Sequence, residues 1–348
     1  MTVEIGKHTI GDRAPVFIVA ELSANHRGSY ELAEKSVYAA HKAGADAIKI
    51  QTYTADTITL NCDSELFRLP ENTKWAGKTL YELYQEAYTP WEWHEGLQKV
   101  AHSLGLEFFS TPFDHSSVNF LEKLDVPAYK IASFEIFDIP LIKKVARTGK
   151  PLIISTGMAT EEEIREAVTA AVDEGNGNLI LLKCTSAYPA TLEAANIATV
   201  PDIKRRFGTL AGLSDHTAGF AGAAAAAALG ADMIEKHFIL DYSLGGSDAH
   251  FSLDKKDFAE MVRVVRDVER ATGYPSYDIA PEARSMRLFA RSLFIAEDIK
   301  EGELFTEKNL RSVRPGGGLH PRHLEEVLGR RAACNLTKGS PMSWEFVL

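Results

Sequence analysis

Hydrophobic and polar positions follow one repeated pattern over the first 270 residues of this 348-residue chain. A short apolar, β-branched run is followed each time by an amphipathic helical segment. The runs with the length and composition of buried strands are VFIVAEL, DAIKIQT, LEFFSTP, AYKIASFE, PLIISTG, LILLKCTS, LAGLSDH and MIEKHFIL. Helical segments such as ELAEKSVYAAHKAG lie between them, and several end in Gly, a common helix terminator. Eight βα units of this kind predict an α/β fold, a (β/α)8 TIM barrel.

The main alternative is a doubly wound open sheet, which also alternates strands and helices. That fold usually carries a glycine-rich phosphate loop after its first strand, and AELSANHRG, residues 20–28, is not such a loop. The alanine-rich GFAGAAAAAALGA has the composition of low-complexity sequence, but the high helix propensity of alanine favours a tightly packed helix of the outer ring. The barrel therefore accounts best for the pattern.

The pattern changes after Ala280. From there to the C-terminal end, short strand-like pieces are broken by Gly and Pro, and no long helix is indicated. The stretch GYPSYDIAPEARS has the composition of a linker. We therefore predict a barrel over residues 1–272, a linker over 273–285 and a small, mostly-β domain over 286–348.

Polar residues concentrate at the C-terminal ends of the predicted strands. They are Glu21, Lys49, Gln51, Ser110, Thr111, Ser133, Glu135, Ser155, Thr185, Ser186, Ser214, Asp215, His216, Glu235 and His237. Capping of the following helices would explain one or two of them, because Ser and Asp are common N-caps. In a barrel these strand ends converge on one mouth, where the active site lies. The sequence therefore predicts a polar active site at this mouth.

Two histidines share the predicted mouth. Because side chains alternate along a strand, Ser214 and His216 share a face of the seventh strand, and Glu235 and His237 share a face of the eighth. Imidazoles at the same depth on adjacent strands can bind one metal ion, although a single histidine is more often a hydrogen-bonded core residue. Two protein ligands leave positions for substrate and water, which suits a Lewis-acid role. Mn²⁺, Mg²⁺, Co²⁺ and Zn²⁺ are all compatible with such a pair.

Positive charge and hydroxyl groups also lie near the strand ends, where they could hold an anionic cluster such as a phosphate plus a carboxylate. The set comprises Lys49, Lys130, Ser133, Ser155 and Ser214. Alternation prevents Lys130 and Ser133 from both facing inward on a regular strand, so we predict a bulge or bend between them.

A rival interpretation of the lysines is a Schiff-base barrel aldolase. Its nucleophile would be Lys49, Lys130, Lys183 or Lys236. Lys236 alternates to the face opposite His237, which argues against this lysine as the nucleophile.

Composition limits the partners and the compartment. With 48 acidic and 38 basic residues the formal net charge is −10, which argues against a nucleic-acid partner because such binding needs a basic face. The chain does not open on a basic segment followed by an apolar run, and it has no stretch of about 18 apolar residues, so we expect neither a signal peptide nor a membrane span. Three distant cysteines, Cys62, Cys184 and Cys334, fit neither a disulfide framework nor a C-x-x-C metal site, which favours the reducing cytoplasm.

Short motifs spread over essentially the whole chain resemble one family. They are AELSANHRG, DAIKIQTY, YKIASFE, ISTGMAT, CTSAYPA, GLSDHT, IEKHF and the C-terminal RPGGGL and GRRAACNLTKG. Together they resemble the bacterial sialic acid (nonulosonic acid) synthases. AELSANH and TLYELYQEAYTPWEW, residues 79–93, resemble the pseudaminic acid synthase branch in particular, although packing of the loop after the second strand would by itself explain the aromatic residues.

The resemblance implies an enzyme that adds phosphoenolpyruvate through its methylene carbon to the open-chain aldehyde of a hexosamine-type sugar. Water attacks the other vinyl carbon, and phosphate leaves by C–O cleavage. In the pseudaminic branch the acceptor is 2,4-diacetamido-2,4,6-trideoxy-L-altrose and the product is pseudaminic acid.

The resemblance also implies roles for individual residues. The metal ligands are His216 and His237, with Mn²⁺ or Mg²⁺ as the usual ion. The phosphoenolpyruvate contacts are Lys49, Lys130, Ser133, Ser155 and Ser214, and the sugar contacts are Glu21, Gln51, Glu135, Ser186, Tyr188 and Asp248. We expect Glu21 to position or activate the attacking water and Glu235 to orient its surroundings or move a proton.

The C-terminal domain resembles the antifreeze-like SAF module of the same family. This implies a domain-swapped homodimer in which Arg314 reaches the partner's site, with Phe289 nearby. N-acetylneuraminate and legionaminate synthases are the alternatives within the family. A non-catalytic sugar-binding protein on an inactive barrel is a more distant one, because the SAF module resembles ice-binding proteins.

Overall fold

A closed barrel of parallel strands makes up the first of two structural units. The computed structural model describes residues 1–70, 76–187, 189–246 and 248–348, and the chain divides into Met1–Gly273 and Tyr274–Leu348. The strands of the first unit are β1 (Thr2–Ile5), β2 (His8–Gly11), β3 (Phe17–Glu21), β4 (Ala47–Thr52), β5 (Glu107–Pro112), β6 (Tyr129–Ile131), β7 (Leu152–Ser155), β8 (Leu179–Cys184), β9 (Leu210–Asp215), β10 (Met233–Ile239) and β11 (Leu253–Asp254). Strands β3 to β10 pair in parallel in chain order, and β10 also pairs with β3, which closes the barrel. The predicted (β/α)8 barrel is confirmed, and the open-sheet alternative is wrong.

Helices follow the strands, and their starts are set by local sequence. In the first unit they are α1 (Tyr30–Lys42), α2 (Ala55–Ile58), α3 (Leu80–Ala87), α4 (His94–Ser103), α5 (His115–Lys123), α6 (Ile139–Ala146), α7 (Glu161–Asp173), α8 (Leu192–Ala195), α9 (Thr199–Phe207), α10 (Ala221–Ala228) and α11 (Lys255–Thr272), with 3₁₀ turns at Ser23–His26, Glu65–Phe67, Trp91–Trp93 and Tyr242–Leu244. The Ser29 side chain caps α1 by accepting from the Leu32 amide, and Thr160 with Glu163 forms a capping box at α7. The alanine-rich stretch forms α10, as predicted.

The barrel strands are buried on both faces. Every residue of β3, β5 and β10 is buried, because barrel interior and helix layer cover opposite sides of a parallel sheet. Charged residues at the ends of these strands are therefore buried as well, and their charges need partners within the protein.

An N-terminal hairpin covers the end of the barrel opposite the mouth, a feature that the strand pattern did not predict. Strands β1 and β2 pair in an antiparallel register and bury Val3, Ile5 and Ile10. The Lys7 amide donates to the Glu107 carboxylate at the start of β5, over 3.0 Å. The hairpin is too short and too polar on its outer face to stand out from a loop in sequence.

The C-terminal unit has its own small core. It contains β12 (Ser292–Ile295), β13 (Leu310–Val313), α12 (Pro281–Arg284) and α13 (Leu324–Val327), with 3₁₀ turns at Ser285–Phe289, Pro321–His323 and Trp344–Phe346. The two strands pair in an antiparallel register, and Leu293, Phe305 and Val327 pack in the interior. In the part of the chain that the structure describes, no helix is both long enough and apolar enough to cross a membrane.

Candidate active site

Parallel pairing brings the polar strand ends together at one end of the barrel. Glu21 pairs in register with both Lys49 and His237, and Ser214 pairs with Glu235. The cavity at this mouth, called the inner cavity below, is lined by Glu21, Lys49, Gln51, Thr111, Lys130, Ala132, Ser133, Phe134, Ser155, Cys184, Ser214, His216, Glu235 and His237. All the predicted catalytic, metal and phosphoenolpyruvate residues lie in this set. Their proximity is a finding, whereas their roles stay predictions.

Two buried lysines lie between two buried carboxylates in the inner cavity. The Lys49 ammonium forms an ion pair with Glu21 and donates to the Thr111 hydroxyl over 3.1 Å. The Lys49 and Lys130 nitrogens each lie 3.6 Å from the same Glu235 oxygen, Oε1. Burying these charges separately would be prohibitive, so the four groups are stable only as a network.

The two carboxylates of this network differ in proton affinity. Burial raises the pKa of Glu21, and the Lys49 ammonium only partly offsets the rise. Burial also pushes the pKa of Glu235 upward, but the ammonium groups of Lys130 and Lys49 outweigh it and lower that pKa. Glu21 is thus the carboxylate suited to accept a proton, and Glu235 is an anion that holds the lysines.

Hydroxyl groups border the lysines. The chain leaves β6 after Ile131 and turns at Ser133, so the predicted bend allows Lys130 and Ser133 to line one cavity. The Ser133 hydroxyl accepts from the Gly157 amide over 3.2 Å. A β-carbon at Gly157 would lie 2.8 Å from the Ser133 oxygen and 2.3 Å from the Ser186 oxygen, so the approach requires glycine. The buried hydroxyl of Ser155 has no hydrogen-bond partner among the described residues, which leaves it available to a ligand.

The two histidines face each other at the mouth, as alternation predicts. The ring centroids of His216 and His237 are 5.2 Å apart. The His216 Nδ1 lies 3.1 Å from the Thr185 carbonyl oxygen, which can only accept, so this contact places a proton on Nδ1. Burial holds the pKa of His237 well below its usual range, so this imidazole is neutral, as a metal ligand must be.

The donor set fits a divalent ion held by few protein ligands. The buried Nδ1 of His237 has no hydrogen-bond partner within the described ranges, and Oδ2 of Asp248 lies 3.8 Å from it. In the described part of the chain, no group of three or more His, Cys, Asp or Glu side chains is arranged as a metal site. Two imidazoles alone would bind an ion weakly, and substrate or water would complete its coordination.

Lys236 lies on the opposite face of β10, outside the barrel interior. Its ammonium donates to Asp215 Oδ2 over 2.9 Å and to the Thr217 carbonyl over 2.5 Å. Asp215 Oδ1 in turn accepts from the Thr217 amide and hydroxyl over 2.9 and 2.8 Å. The Lys236 ammonium thus binds Asp215 and Thr217, the two residues that flank His216, and Lys236 itself directly precedes His237 in the chain. Its ion pair with Asp215 argues against a Schiff-base role.

A wider cavity of about 390 Å³, called the outer cavity below, adjoins the inner one and shares Gln51, Ala132, Phe134 and His237 with it. It is lined by Ser23, Ala24, Gln51, Tyr53, Ile58, Leu83, Tyr84, Ala87, Phe113, Ala132, Phe134, Glu135, His237, Asp248 and Phe251. Burial raises the pKa of Glu135 to about 7, so this side chain can donate as well as accept near neutral pH. Three predicted sugar contacts, Gln51, Glu135 and Asp248, lie here.

The remaining predicted sugar contacts have different positions. The Ser186 hydroxyl is buried close to the Gly157 backbone. Tyr188 lies outside the described residues. Phe289 and Arg314 belong to the C-terminal unit, where both side chains are exposed.

Several lining residues were not among the predicted site residues. Thr111 is among the polar strand ends but has no predicted role, and it pairs with Gln51 in register. Alternation could have identified Cys184, because it pairs with Ser214 in register. Cys184 lies 3.7 Å from the His216 Nδ1, and although burial opposes it, this contact lowers the pKa of the thiol to about 7. Of the aromatic and apolar residues of the outer cavity, Leu83, Tyr84 and Ala87 lie on helix α3, whereas Tyr53, Phe113 and Phe251 lie outside helices and strands, where no periodic signal marks them.

Comparisons with known proteins agree with this geometry. Residues 36–277 match the NeuB family, and residues 290–348 match the SAF domain. A pseudaminic acid synthase from Campylobacter jejuni subsp. jejuni serotype O:23/36 (strain 81-176) is 48% identical over 327 residues, which cover 94% of this chain and 95% of that protein. A pseudaminic acid synthase from Helicobacter pylori (strain ATCC 700392 / 26695) is 45% identical and covers 94% and 97% of the two chains.

A solved structure extends the comparison to three dimensions. The N-acetylneuraminic acid (sialic acid) synthetase from Leptospira borgpetersenii serovar Hardjo-bovis, in complex with citrate, has a TM-score of 0.72 at 30% identity. The alignment covers 82% of this chain and 95% of that one. The family match alone spans more than half of the sequence. This chain therefore belongs to the NeuB family and carries a SAF domain at its C-terminal end.

Proposed function

We propose that this protein is a pseudaminic acid synthase. It condenses phosphoenolpyruvate with 2,4-diacetamido-2,4,6-trideoxy-L-altrose and water, and releases pseudaminic acid and phosphate. The observation that carries the proposal is a buried pair of lysines and the unpaired Ser155 hydroxyl beside two histidines, next to a cavity wide enough for a sugar. The identity of 45–48% with two pseudaminic acid synthases supports this choice of acceptor sugar.

The inner cavity suits phosphoenolpyruvate. Its carboxylate and phosphate would replace Glu21 and Glu235 as partners of the Lys49 and Lys130 ammonium groups, and would accept from the Ser155 hydroxyl. Charge-assisted hydrogen bonds of this kind are about twice as strong as neutral ones. Because the cavity is buried, these groups also need no reorganisation when charge develops on the leaving phosphate.

Glu21 is the group that we assign to the attacking water. The methylene carbon of phosphoenolpyruvate bonds to the aldehyde carbon, whose oxygen takes up the proton that Glu21 receives from water. Water adds to the other vinyl carbon and transfers its proton to Glu21, whose pKa burial raises. The resulting tetrahedral carbon then expels phosphate by C–O cleavage, its hydroxyl proton leaves with the phosphate, and the carbon becomes the keto group of the product.

A divalent ion, Mn²⁺ or Mg²⁺, is part of the proposal, with His216 and His237 as its protein ligands. Such an ion would polarise the aldehyde oxygen of the acceptor. Gln51, Glu135 and Asp248 line the outer cavity, where the polar substituents of the sugar would bind.

We also propose a homodimer in which Arg314 acts in the partner's site, in the cytoplasm. Arg314 and Phe289 are both exposed in the C-terminal unit, so a second chain can reach them. An arginine can hold a sugar's amide carbonyl through paired hydrogen bonds. The three cysteines, Cys62, Cys184 and Cys334, are free thiols, as a reducing compartment requires.

The test is an assay with phosphoenolpyruvate, Mn²⁺ and a panel of acceptor sugars, read by phosphate release and product mass. We expect turnover with the diacetamido 6-deoxy sugar and little with N-acetylmannosamine, and we expect ¹⁸O from water to enter the keto acid. Label in phosphate would contradict C–O cleavage. Comparable turnover of N-acetylmannosamine would reassign the protein to N-acetylneuraminate synthesis, and a borohydride-trapped lysine adduct would favour an aldolase.

A further inference from the structure

The turn after β3 contains a serine in a backbone conformation that residues other than glycine rarely adopt. Ser23 is the first residue of the 3₁₀ turn Ser23–His26, and its φ is +46°, in the left-handed region. In this region the β-carbon lies too close to a main-chain carbonyl oxygen, so glycine is the usual residue and a serine is strained. Ser23 is only 5% exposed and lines the outer cavity. Backbone strain of this kind persists only where surrounding contacts hold it, and it concentrates at functional sites.

Contacts on both sides of Ser23 hold the turn against two neighbouring strands. The Leu22 amide donates to the Lys49 carbonyl over 3.0 Å, which joins the turn to β4. The Asn25 side-chain amide donates to the Phe238 carbonyl and to the Ser252 hydroxyl, each over 2.9 Å, which joins the turn to β10 and the segment that follows it. These bonds determine the path of the chain through the serine, whatever its side chain.

Ser23 contacts two residues of the site through two different groups. Its main-chain amide donates to Glu21 Oε1 over 3.0 Å. Its hydroxyl accepts from Gln51 Nε2 over 3.1 Å. A glycine would supply the same amide without the strain, because the amide belongs to the backbone. The hydrogen bond to Gln51 is therefore what the serine side chain adds at this position.

Gln51 lines both the inner and the outer cavity. A glutamine amide carries an oxygen that accepts and a nitrogen that donates. With Nε2 donating to Ser23, the carbonyl oxygen Oε1 remains as an acceptor for a hydroxyl or amide hydrogen of a ligand. The hydrogen bond also restricts a long side chain that would otherwise lose its rotational freedom only when the ligand binds.

We propose that Ser23 is a positioning residue of the acceptor site, whose hydroxyl holds the Gln51 amide ready to bind the sugar. The proposed function, in which Gln51 contacts the acceptor, is the basis of this inference. A glutamine that is held before the sugar arrives loses less freedom on binding, so the acceptor binds more tightly. The strained backbone at Ser23 is the stability cost of placing a hydroxyl there.

The experiment compares the wild type with Ser23→Gly, Ser23→Ala, Gln51→Ala and the double variant Ser23→Gly/Gln51→Ala. For each protein, kcat/KM for the diacetamido 6-deoxy sugar is measured at saturating phosphoenolpyruvate, together with the KM for phosphoenolpyruvate and the urea unfolding midpoint. Asp12→Gly is the matched control for release of strain. Asp12 also has a φ of +46°, but it is exposed and precedes β3, at the end of the barrel opposite the mouth.

We expect Ser23→Gly and Ser23→Ala to lower kcat/KM for the sugar by the same factor, roughly three- to tenfold, which corresponds to one hydrogen bond. The loss should lie mainly in the KM for the sugar, with the KM for phosphoenolpyruvate unchanged. Only glycine releases the strain, so Ser23→Gly should unfold at a higher urea concentration than Ser23→Ala. Asp12→Gly should keep the kcat/KM of the wild type. Equal losses of activity in two variants of different stability would separate a positioning role from a structural one.

The double variant tests whether Ser23 acts through Gln51. Once Gln51 is absent, replacement of Ser23 should lower kcat/KM no further, because residues that act through one contact are not additive. Additive losses in the double variant, or wild-type kcat/KM in both single Ser23 variants, overturn the role of Ser23 while the proposed function stands. A wild type that does not turn over the diacetamido sugar overturns the proposed function, and the role of Ser23 with it.

Discussion

The buried ion pair between Lys236 and Asp215 provides the sharpest test of how the two histidines are held in place. Lys236 is 0% exposed and Asp215 2%, and their side chains meet on the outer face of the barrel strands. The pair also bonds to Thr217, so it connects the segment that carries His216 with the strand that carries His237. Replacing Lys236 with Met removes the ammonium and keeps a side chain of similar length.

The expected loss of stability follows from what is left behind. Lys236→Met leaves the Asp215 carboxylate buried without its cationic partner, and breaking a buried pair in this way costs about 3–5 kcal/mol of unfolding free energy. Lys236→Met combined with Asp215→Asn removes both charges and should therefore recover part of that loss. Lys35→Met is the matched control, because the Lys35–Glu31 pair is 60% and 75% exposed, and pairs of this kind contribute only about 0.3–0.5 kcal/mol.

Urea unfolding followed by circular dichroism measures the stability. Titration with Mn²⁺ followed by electron paramagnetic resonance measures the affinity for the ion, which depends on the positions of the two histidines. We expect Lys236→Met to shift the unfolding midpoint far more than Lys35→Met does, and to weaken Mn²⁺ binding. The double variant should recover more of the lost stability than of the lost Mn²⁺ affinity. A Lys236→Met protein within about 1 kcal/mol of the wild type would refute the reasoning, because the carboxylate would then be satisfied by other groups. If Lys236→Met is destabilised but binds Mn²⁺ with the affinity of the wild type, only the link between the ion pair and the positions of the histidines is refuted.

The remaining predictions concern individual groups of the site. Chelation with EDTA should abolish turnover and Mn²⁺ should restore it, and full activity after exhaustive chelation would contradict the metal assignment. His237→Ala should lower kcat by roughly 100-fold or more and leave the unfolding midpoint unchanged. Mixing inactive Arg314→Ala chains with inactive His237→Ala chains should restore part of the activity, because an exchanged dimer contains one complete site; verified exchange without activity would show that the arginine does not act in trans. Burial raises the pKa of Glu135 from 4.5 to about 7, so the folded state binds this proton more tightly than the unfolded state does. The free energy of unfolding should therefore fall as the pH rises from 4.5 to about 7. The fall should be on the order of 2 kcal/mol after allowance for solvent screening, and a Glu135→Gln variant with the same pH slope would contradict the assignment. Phosphoenolpyruvate should slow alkylation of Cys184, followed by peptide mass spectrometry, but not that of the other two cysteines, because only Cys184 lines the inner cavity among the described residues; equal protection of all three would point to a general change in the fold.

Much of the barrel and its inner cavity could be predicted from sequence for a simple physical reason. A parallel strand that is buried on both faces consists mostly of apolar residues, so it can be recognised in the sequence. The side chains at its C-terminal end lie close to those of the neighbouring strands once the barrel closes. Period-2 alternation then assigns His216 and His237 to facing positions and Lys236 to the outer face, without any knowledge of loops. The register of β9 with β10 bears out these positions.

Contacts between residues far apart in sequence required the tertiary structure. The sharing of Glu235 by Lys49 and Lys130 depends on the closing of the barrel, and no local pattern encodes which carboxylate each lysine meets. The turn that brings Ser133 to the cavity follows from the early end of β6, and the sequence indicated only that some bend was needed.

Helix α3, whose residues Leu83, Tyr84 and Ala87 line the outer cavity, shows the same limit. The amphipathic pattern of α3 determines that its residues form a helix with one apolar face. Whether that face meets the core or a cavity depends on the Tyr53 ring, which follows β4 and contacts both the Tyr84 ring of α3 and the Phe113 ring after β5. Local periodicity therefore determined the elements and the direction of their side chains, whereas the closing of the barrel and the packing of its loops decided which charges are paired and which surface a substrate meets.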